Sequence, residues 1–499
     1  MKNNLLMAAM GVALVGTLGA APNVVVFMAD DFGSGCVNAY GAPEELVKTP
    51  NLNRLAESGM RFTNANTPAS ICSPTRYALL TGRYAWRGPL PFGVVNVFDP
   101  MVVETDRETL PNYLKEMGYA TAQIGKWHLG YGDRRPAVFT EKLTPGPNDI
   151  GFDYHFGLPQ NLDDMLRVWI ENDGVYGLRS KKTSSFAKCF YGKPYLGFDA
   201  PQRNREEASE FLTQKAVDWL QSQDKDEPFF LYFASPATHH PIVPSERMRG
   251  KSNCGAYGDF IQDLDWSFGQ IVQTLEKMGV MDNTVIIFTA DNGSDIPGDK
   301  TRPEGQAIAA GLKPNSIYRG DKHTIYEGGG RVPLMVRWDG KIKPGFVSDH
   351  MVSIVDVFST VADLVNGKWV TLPDAEDSSS FALTLMGKKQ KPRSPMVGTN
   401  AAGIQSIRSG HWKYIDGTFP ENVPGNLLKA FRKQAVPALY DLEKDPSEDN
   451  NVIGDYPEVV QQLQAILDDY RNGKGSGNQT AKRPVSQPAL SSIRTQARK

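Results

Sequence analysis

Three apolar runs in this chain of 499 residues lead straight into residues capable of chemistry. NVVVFMA (Asn23 to Ala29) runs into Asp30 and Asp31, and NTVIIFTA (Asn283 to Ala290) runs into Asp291 and Asn292. FFLYFAS (Phe229 to Ser235) leads to PATHHP, with His239 and His240. Runs that are continuously apolar, without alternation, fit strands buried on both faces, as in a parallel sheet covered by helices. Helical patterns lie between them, among them ETLPNYLKEMGY (Glu108 to Tyr119) and GDFIQDLDWSFGQIVQTLEKMG (Gly258 to Gly279). Strand alternating with helix predicts an α/β fold with a large, mostly parallel central sheet flanked by helices.

From about Asp374 the pattern weakens. IRSGHWKYI (Ile407 to Ile415) is a strand candidate and PEVVQQLQAILDDYR (Pro457 to Arg471) an amphipathic helix. A catalytic domain over 22–373 is therefore expected to precede a smaller C-terminal α+β subdomain over 374–471. Lys2, an apolar run and the small residues Gly19, Ala20 and Ala21 read as a secretory signal over 1–21. The run is short for a membrane span, so the expectation is export, periplasmic or secreted, with no stable membrane anchor. Residues 472–499 contain no acids and many Gly, Ser, Gln, Lys and Arg, which reads as a disordered tail. A formal net charge of -2 argues against a nucleic-acid or anionic-membrane partner. The 4 cysteines are too few for a disulfide scaffold at this length; Cys189 and Cys254 could pair, and their spacing leaves that open.

In open parallel sheets, ligands bind beyond the carboxyl ends of the strands. Asp30, Asp31, Asp291 and Asn292 would then share one rim. Carboxylates crowded there repel one another unless a cation or protons neutralise them. All-oxygen donors suit a hard ion, calcium or magnesium, better than zinc. A single Asp-Asp after a strand could merely cap a helix or turn, but two such strand ends favour a metal. Asn292 also begins Asn-Gly-Ser, a glycosylation sequon. Glycan and metal exclude each other there, and the metal is the reading adopted. TAQIGKWHLG reads as a strand emerging into a loop, and in extended chain Lys126 and His128 point to one face. By the same alternation His239 and His240 cannot both face the site. Taken singly, such a lysine is a surface amine and such a histidine a structural one; convergence with the acids changes that.

The stretch ICSPTRYALLTGR (Ile71 to Arg83) places a cysteine two residues before a proline and four before an arginine. Ser70 is a candidate helix cap, and Pro74 suits a first turn because its missing N–H has no helical partner there anyway. Cys72 would then sit at a helix N-terminus, where free amides and the dipole favour negative charge. Arg76, one turn on, adds a forked donor for an anion. The plainer alternative is a buried cysteine on an amphipathic helix.

These residues resemble the type I, formylglycine-dependent sulfatases of the alkaline phosphatase superfamily. Cys72-Ser73-Pro74-Thr75-Arg76 and Thr81-Gly82-Arg83 fit that signature, with Thr75 where serine or alanine is usual. ADDFG (Ala29 to Gly33), GKWHLG (Gly125 to Gly130), ADNGS (Ala290 to Ser294), RGDKHTIYEGGGRVPLMVRW (Arg319 to Trp338) and LYDLEKDPSEDNNV (Leu439 to Val452) look like family blocks in family order. The likeness extends to about residue 470, and CSPTRYALLTGRYAWR most resembles the branch of arylsulfatase A and N-acetylgalactosamine-6-sulfatase.

The resemblance implies an alkaline phosphatase-like fold and a sulfuric ester hydrolase. Cys72 would be converted to formylglycine by a formylglycine-generating or sulfatase-maturating enzyme. The hydrated aldehyde attacks sulfur with one hydroxyl and expels sulfate with the other. One Ca2+ would be held by Asp30, Asp31, Asp291, Asn292 and the modified Cys72, acting as a Lewis acid. Arg76 would hold the diol, and Lys126 and Lys322 would bind sulfate oxygens. His128 would take a proton during turnover, and His239, which matches the family's His-x-Pro, would serve the leaving alcohol.

The implied substrate is a sulfated carbohydrate, such as a 6-O-sulfated galactose or N-acetylgalactosamine unit, or an aryl sulfate. Between Leu158 and Arg205, Trp169, Tyr176, Tyr191 and Tyr195 lie among Lys181, Lys182, Lys188 and Lys193, which could line a sugar trough or simply form a surface loop. Two alternatives remain: a phosphodiester or phosphonate ester hydrolase of the same superfamily, and a non-catalytic sulfated-glycan-binding protein should Cys72 stay unmodified. The two-zinc set usual in phosphatases of the superfamily is hard to build from 7 histidines.

Overall fold

Every residue from Val24 to Ala29 is sealed from solvent, so this run forms the middle of a sheet. The computed structural model describes residues 21–190 and 192–473. The strands that carry the site are β1 (Asn23–Ala29), β2 (Ala120–Lys126), β3 (Tyr154–Leu158), β4 (Phe229–Ala234), β5 (Thr284–Ala290) and β6 (Leu334–Arg337). Five of them run parallel in the order β5-β1-β4-β2-β3. β6 joins β5 antiparallel, and short strands at both edges complete a sheet of 10. The expected mostly parallel α/β sheet is what forms. Phe27 shows what holds it: its ring lies 4.9 Å from Phe233 and 5.5 Å from both Phe268 and Phe288. Burying each such side chain contributes about 1.5–3 kcal/mol.

The helices that matter are α1 (Cys72–Thr81), α2 (Leu110–Glu116), α3 (Gly255–Met278) and α4 (Pro457–Arg471). α4 has the bounds read from the sequence, and α2 is shorter than its pattern because Thr109 caps it, accepting from Asn112 N. α1 stops where the chain turns left-handed at Gly82, φ 65°, where a Cβ would come within 2.4 Å of Ala375 Cβ. The Gly of Thr-Gly-Arg is therefore a helix stop, and Arg83 ties that stop to Glu104 and Glu376 at 3.0 and 2.8 Å.

A second sheet of 4 antiparallel strands follows: Met396–Thr399, Gln405–Ser409, Trp412–Ile415 and Ala438–Asp441. The single strand read over Ile407 to Ile415 is a hairpin, with Ser409 paired to Trp412. α4 packs on this sheet through Leu463, Leu467 and Tyr470, in a cluster with Ile407, Tyr414 and Leu439.

Two readings are corrected. Ser70 does not cap α1; its hydroxyl donates to Thr399 O, and Ile71 occupies the cap position with no side-chain bond. Trp169 and Tyr176 do not line a trough: both rings pack on Phe156, at 5.6 and 5.4 Å, because an aromatic core outcompetes solvent for them. Tyr191 and the side chain of Lys188 lie outside the described residues. Cys254 is buried and free, while the side chain of Cys189 lies outside the described residues. So do the expected signal, apart from Ala21, and the expected tail beyond Gly473. No helix among the described residues is long and apolar enough to cross a membrane.

Candidate active site

β1 and β5 are neighbours with Ala29 opposite Ala290, so Asp30 and Asp31 emerge beside Asp291 and Asn292. Asp31 N donates to Asp291 Oδ1 at 3.1 Å, and Asn292 Nδ2 donates to Asp31 Oδ1 at 2.8 Å. Asn292 has no solvent exposure, which excludes a glycan in the folded protein. β4 delivers His239, whose Nε2 lies 3.7 Å from Asp31 Oδ2, while His240 is turned outward.

α1 points its first turn at the two acids. Cys72 Sγ lies 3.6 Å from Asp30 Oδ1 and 3.9 Å from Asp31 Oδ1. Arg76 reaches Asp291 Oδ2 through Nε at 3.0 Å and Nη2 at 2.7 Å, and Lys126 O through Nη1 at 3.2 Å. Lys126, the last residue of β2, places Nζ 2.7 Å from Asp30 Oδ2, and Lys322 places Nζ 2.7 Å from Asp31 Oδ2. The segment carrying Lys322 is pressed onto the end of β5, since a Cβ on Gly293 would meet Gly328 O at 1.9 Å.

His128 joins the site by a different route from the one expected. It is not in extended chain; its φ is 60°, and Ser73 Oγ pins the turn by donating to His128 O at 2.8 Å. Both of its ring nitrogens are buried without a partner among the described residues. Asp31 (φ 55°) and His323 (φ 76°) share this left-handed backbone. Such conformations cost non-glycine residues about 1–3 kcal/mol each and gather at functional sites. His323 was not singled out from the sequence, because nothing in its spacing marks it; only the strained backbone beside Lys322 does.

Three carboxylates thus face three cations, Arg76, Lys126 and Lys322. Burial raises the Asp30 carboxyl to about 7 against the pull of Lys126. Burial acts on Asp31 too, but Lys322 and His239 outweigh it and hold its carboxyl below the usual range. Burial pushes the Cys72 thiol up. His128 and His239 are driven well below the ordinary imidazole value, by burial first and then by the nearby lysines. Both imidazoles are therefore held toward the neutral form.

The donor set fits a metal ion. Ligand atoms of Asp30, Asp31, Cys72 and His239 lie within 4.8 Å of one another. Asn292 Oδ1 is buried without a partner among the described residues, as a carbonyl oxygen reserved for a cation would be. Asp291 is at present turned onto Arg76.

The sulfatase family profile matches residues 22–367. The chain belongs to the sulfatase family. A curated relative, N-acetylgalactosamine-6-O-sulfatase of Bacteroides thetaiotaomicron, is 35% identical over 486 residues, covering 90% of this chain and 92% of that protein. Human arylsulfatase A is 30% identical over 472 residues, covering 89% and 87% respectively. A solved structure described under metabolism of multiple glycosaminoglycans by Bacteroides thetaiotaomicron superimposes with a TM-score of 0.83 at 34% identity, covering 91% of this chain and 100% of that one. The sulfatase is accordingly a sulfuric ester hydrolase with the fold of the alkaline phosphatase superfamily.

Proposed function

We propose that this sulfatase removes sulfate from a 6-O-sulfated N-acetylgalactosamine or galactose unit of an extracellular polysaccharide, and that aryl sulfates are accepted as simpler substrates. The observation that carries the reading is the convergence of Cys72, Lys126, Lys322 and His239 on Asp30 and Asp31. The sugar is suggested by the relative named as an N-acetylgalactosamine-6-O-sulfatase.

Asp30, Asp31, Asp291 and Asn292 would hold a calcium ion, which supplies Lewis-acid polarisation of the sulfate when bound. Cys72, converted to formylglycine by a maturating enzyme, would supply a geminal diol that attacks sulfur with one hydroxyl and expels sulfate with the other. Conversion also removes the only sulfur donor, leaving an oxygen-rich set that disfavours zinc.

The chain's own residues do the rest. Charge sets the order: three acids and three bases balance, so a divalent cation leaves a net surplus of two positive charges. Lys126 and Lys322 are then freed from neutralising Asp30 and Asp31, and their Nζ groups can bind sulfate oxygens as negative charge develops. Arg76, anchored on Asp291 and Lys126 O, orients the residue-72 side chain from the following turn. His128, neutral and with no ring partner among the described residues, accepts the proton released from residue 72. His239 stands beside Lys322 and Asp31; an arriving sulfate anion raises its proton affinity, so it can then protonate the departing alcohol. Residues 1–21 direct export, so turnover is expected in the periplasm or outside the cell.

The test has two parts. A tryptic peptide containing Cys72 should show CH2SH replaced by CHO, and the purified protein should release sulfate from N-acetylgalactosamine 6-sulfate faster than from the 4-sulfate. An unmodified Cys72 in active protein would overturn the nucleophile; a preference for the 4-sulfate would overturn the substrate.

A further inference from the structure

A cleft of about 660 Å3 opens beside the site. Ile71 and His323 line it, and they are the chain neighbours of Cys72 and Lys322, so the cleft begins one residue from each. Its walls are largely apolar, with Leu90, Phe92, Leu427 and Phe431 among them. It falls within the range of about 300–1,000 Å3 usual for small-molecule sites. It is larger than a bare sulfate needs.

One guanidinium stands in this apolar lining. Arg135, with its side chain 33% exposed, places Nε 3.0 Å from Asp99 Oδ1. Asp99 is itself buried, and its Oδ2 accepts from Asn96 N at 2.7 Å and Asn96 Nδ2 at 2.9 Å. The loop holding Asp99 is laced to the turn that follows His128: Val102 N donates to Leu129 O, Tyr131 N to Asp99 O, and Met101 N to Gly132 O. Arg135 is therefore fixed relative to the catalytic turn. The approach of Nε to Oδ1 is an ion pair without hydrogen-bond geometry, so the guanidinium N–H groups are not spent on Asp99, and among the described residues no acid other than Asp99 lies within ion-pair distance. Glu421 also lines the cleft, at the place where it meets a second cleft, since Pro91 and Glu421 line both. Arg135 is thus the one guanidinium in this lining, beside Asp99, and the group on which an anion in the cleft would settle.

We propose that the cleft binds the sugar unit next to the sulfated one, and that Arg135 recognises an anionic group on it. The group is an oxyanion borne by the sugar, either a uronate carboxylate or a second sulfate ester; both match the planar fork of a guanidinium. The proposal rests on the sulfatase reading and names the specificity residue of that same site. The enzyme is then tuned to an acidic oligosaccharide, not to a lone sulfated sugar.

The experiment compares kcat/KM for three sulfated substrates: an aryl sulfate with no neighbouring sugar, an oligosaccharide with a neutral neighbour, and one with an anionic neighbour. The last is made in two forms, uronate and sulfated, to separate the sources. Arg135→Ala should lower kcat/KM for at least one anionic form by roughly 10- to 100-fold, leave the aryl sulfate unchanged, and be partly rescued by Arg135→Lys. An equal loss on all substrates, or no loss on the anionic ones, overturns the proposal. A calorimetric titration with the unsulfated oligosaccharide of alternating uronate and N-acetylhexosamine, and with its sulfated-neighbour form, reads the cleft without turnover. Binding of either that disappears in Arg135→Ala supports the cleft even if the protein hydrolyses nothing, which would sink the sulfatase reading alone. Absence of binding by both, or binding indifferent to the variant, overturns the cleft whatever the turnover.

Discussion

Two clusters of buried charge lie on either side of the segment that carries Lys322. At the rim of the large sheet, Asp30, Asp31 and Asp291 face Arg76, Lys126 and Lys322. In the other, Glu327 meets Arg331, Arg408 at 3.2 Å and Lys413 at 3.0 Å, and Lys413 reaches Glu448 at 2.8 Å. Arg408 and Lys413 belong to the C-terminal sheet, so this second cluster fastens that sheet to the Lys322 segment. The two resemble each other in charge and burial. They differ in access and in chemistry. The rim adjoins a cleft of about 660 Å3 and includes a thiol and two neutral imidazoles. The second encloses about 40 Å3 and contains only groups that hold charge without reacting. A cavity that small has room for little more than water. Buried charge marks a structural tie as readily as a catalytic site; reactive groups with room for a ligand tell them apart.

That contrast can be broken by mutation. Cys72→Ala should lower sulfate ester turnover by roughly 10⁴- to 10⁶-fold, as loss of a covalent nucleophile does, while the thermal midpoint measured by calorimetry stays near that of the parent. Retained turnover would take the rim out of the chemistry. Next comes the histidine pair. His239→Ala should lower kcat by about 10²- to 10⁴-fold, the usual weight of a general acid or base, and His240→Ala should leave it unchanged. The reverse result in steady-state kinetics would transfer the role to His240.

The structural cluster should respond in stability. Glu327→Gln leaves three cations around a neutral amide, and breaking one side of a buried ion pair costs about 3–5 kcal/mol; chemical denaturation measures it. Burial alone would raise the Glu327 carboxyl, but Lys413, Arg331 and Arg408 outweigh it and hold it below its ordinary 4.5. A depressed carboxyl contributes stability above its unfolded pKa and loses it as the pH falls below that value. The gap between parent and Glu327→Gln should therefore be full at neutral pH and narrow on acidification below about 4.5. A smaller effect on stability is expected from the ion. Chelation should abolish turnover, calcium should restore it, and the stability regained should be about 2.7 kcal/mol at a hundred times the dissociation constant. Restoration by zinc and not calcium would reverse the choice of metal.

The residues nearest to strand ends were the most legible in the sequence. Asp30, Asp31, Asp291 and Asn292 follow apolar runs whose burial could be read directly, and those runs became β1 and β5; Lys126 ends a segment read as a strand, which is β2. Cys72 was visible because α1 begins there. What stayed hidden depends on contacts distant in the chain. Ser70 looked like a cap because capping is local, yet Thr399 claimed its hydroxyl from 329 residues away. Trp169 and Tyr176 looked available for sugar because their partner Phe156 could not be inferred from spacing. The Glu327 cluster joins residues 327, 331, 408, 413 and 448, and no motif spans that range. The extended chain expected at His128 is a left-handed turn, which sets its ring near Lys126, Arg76 and His239.

Cys72 is only 1% exposed. A maturating enzyme cannot grasp a sulfur enclosed by Asp30, Asp31 and α1 without first prising the fold apart. Under the proposed modification, timing then decides activity: the oxidation must happen while the chain is still extended, before β1 and β5 close over residue 72. A molecule that folds too soon keeps its thiol and is locked out for its lifetime. The active fraction of a preparation would then record how synthesis and maturation raced, and no later addition of metal or substrate could raise it.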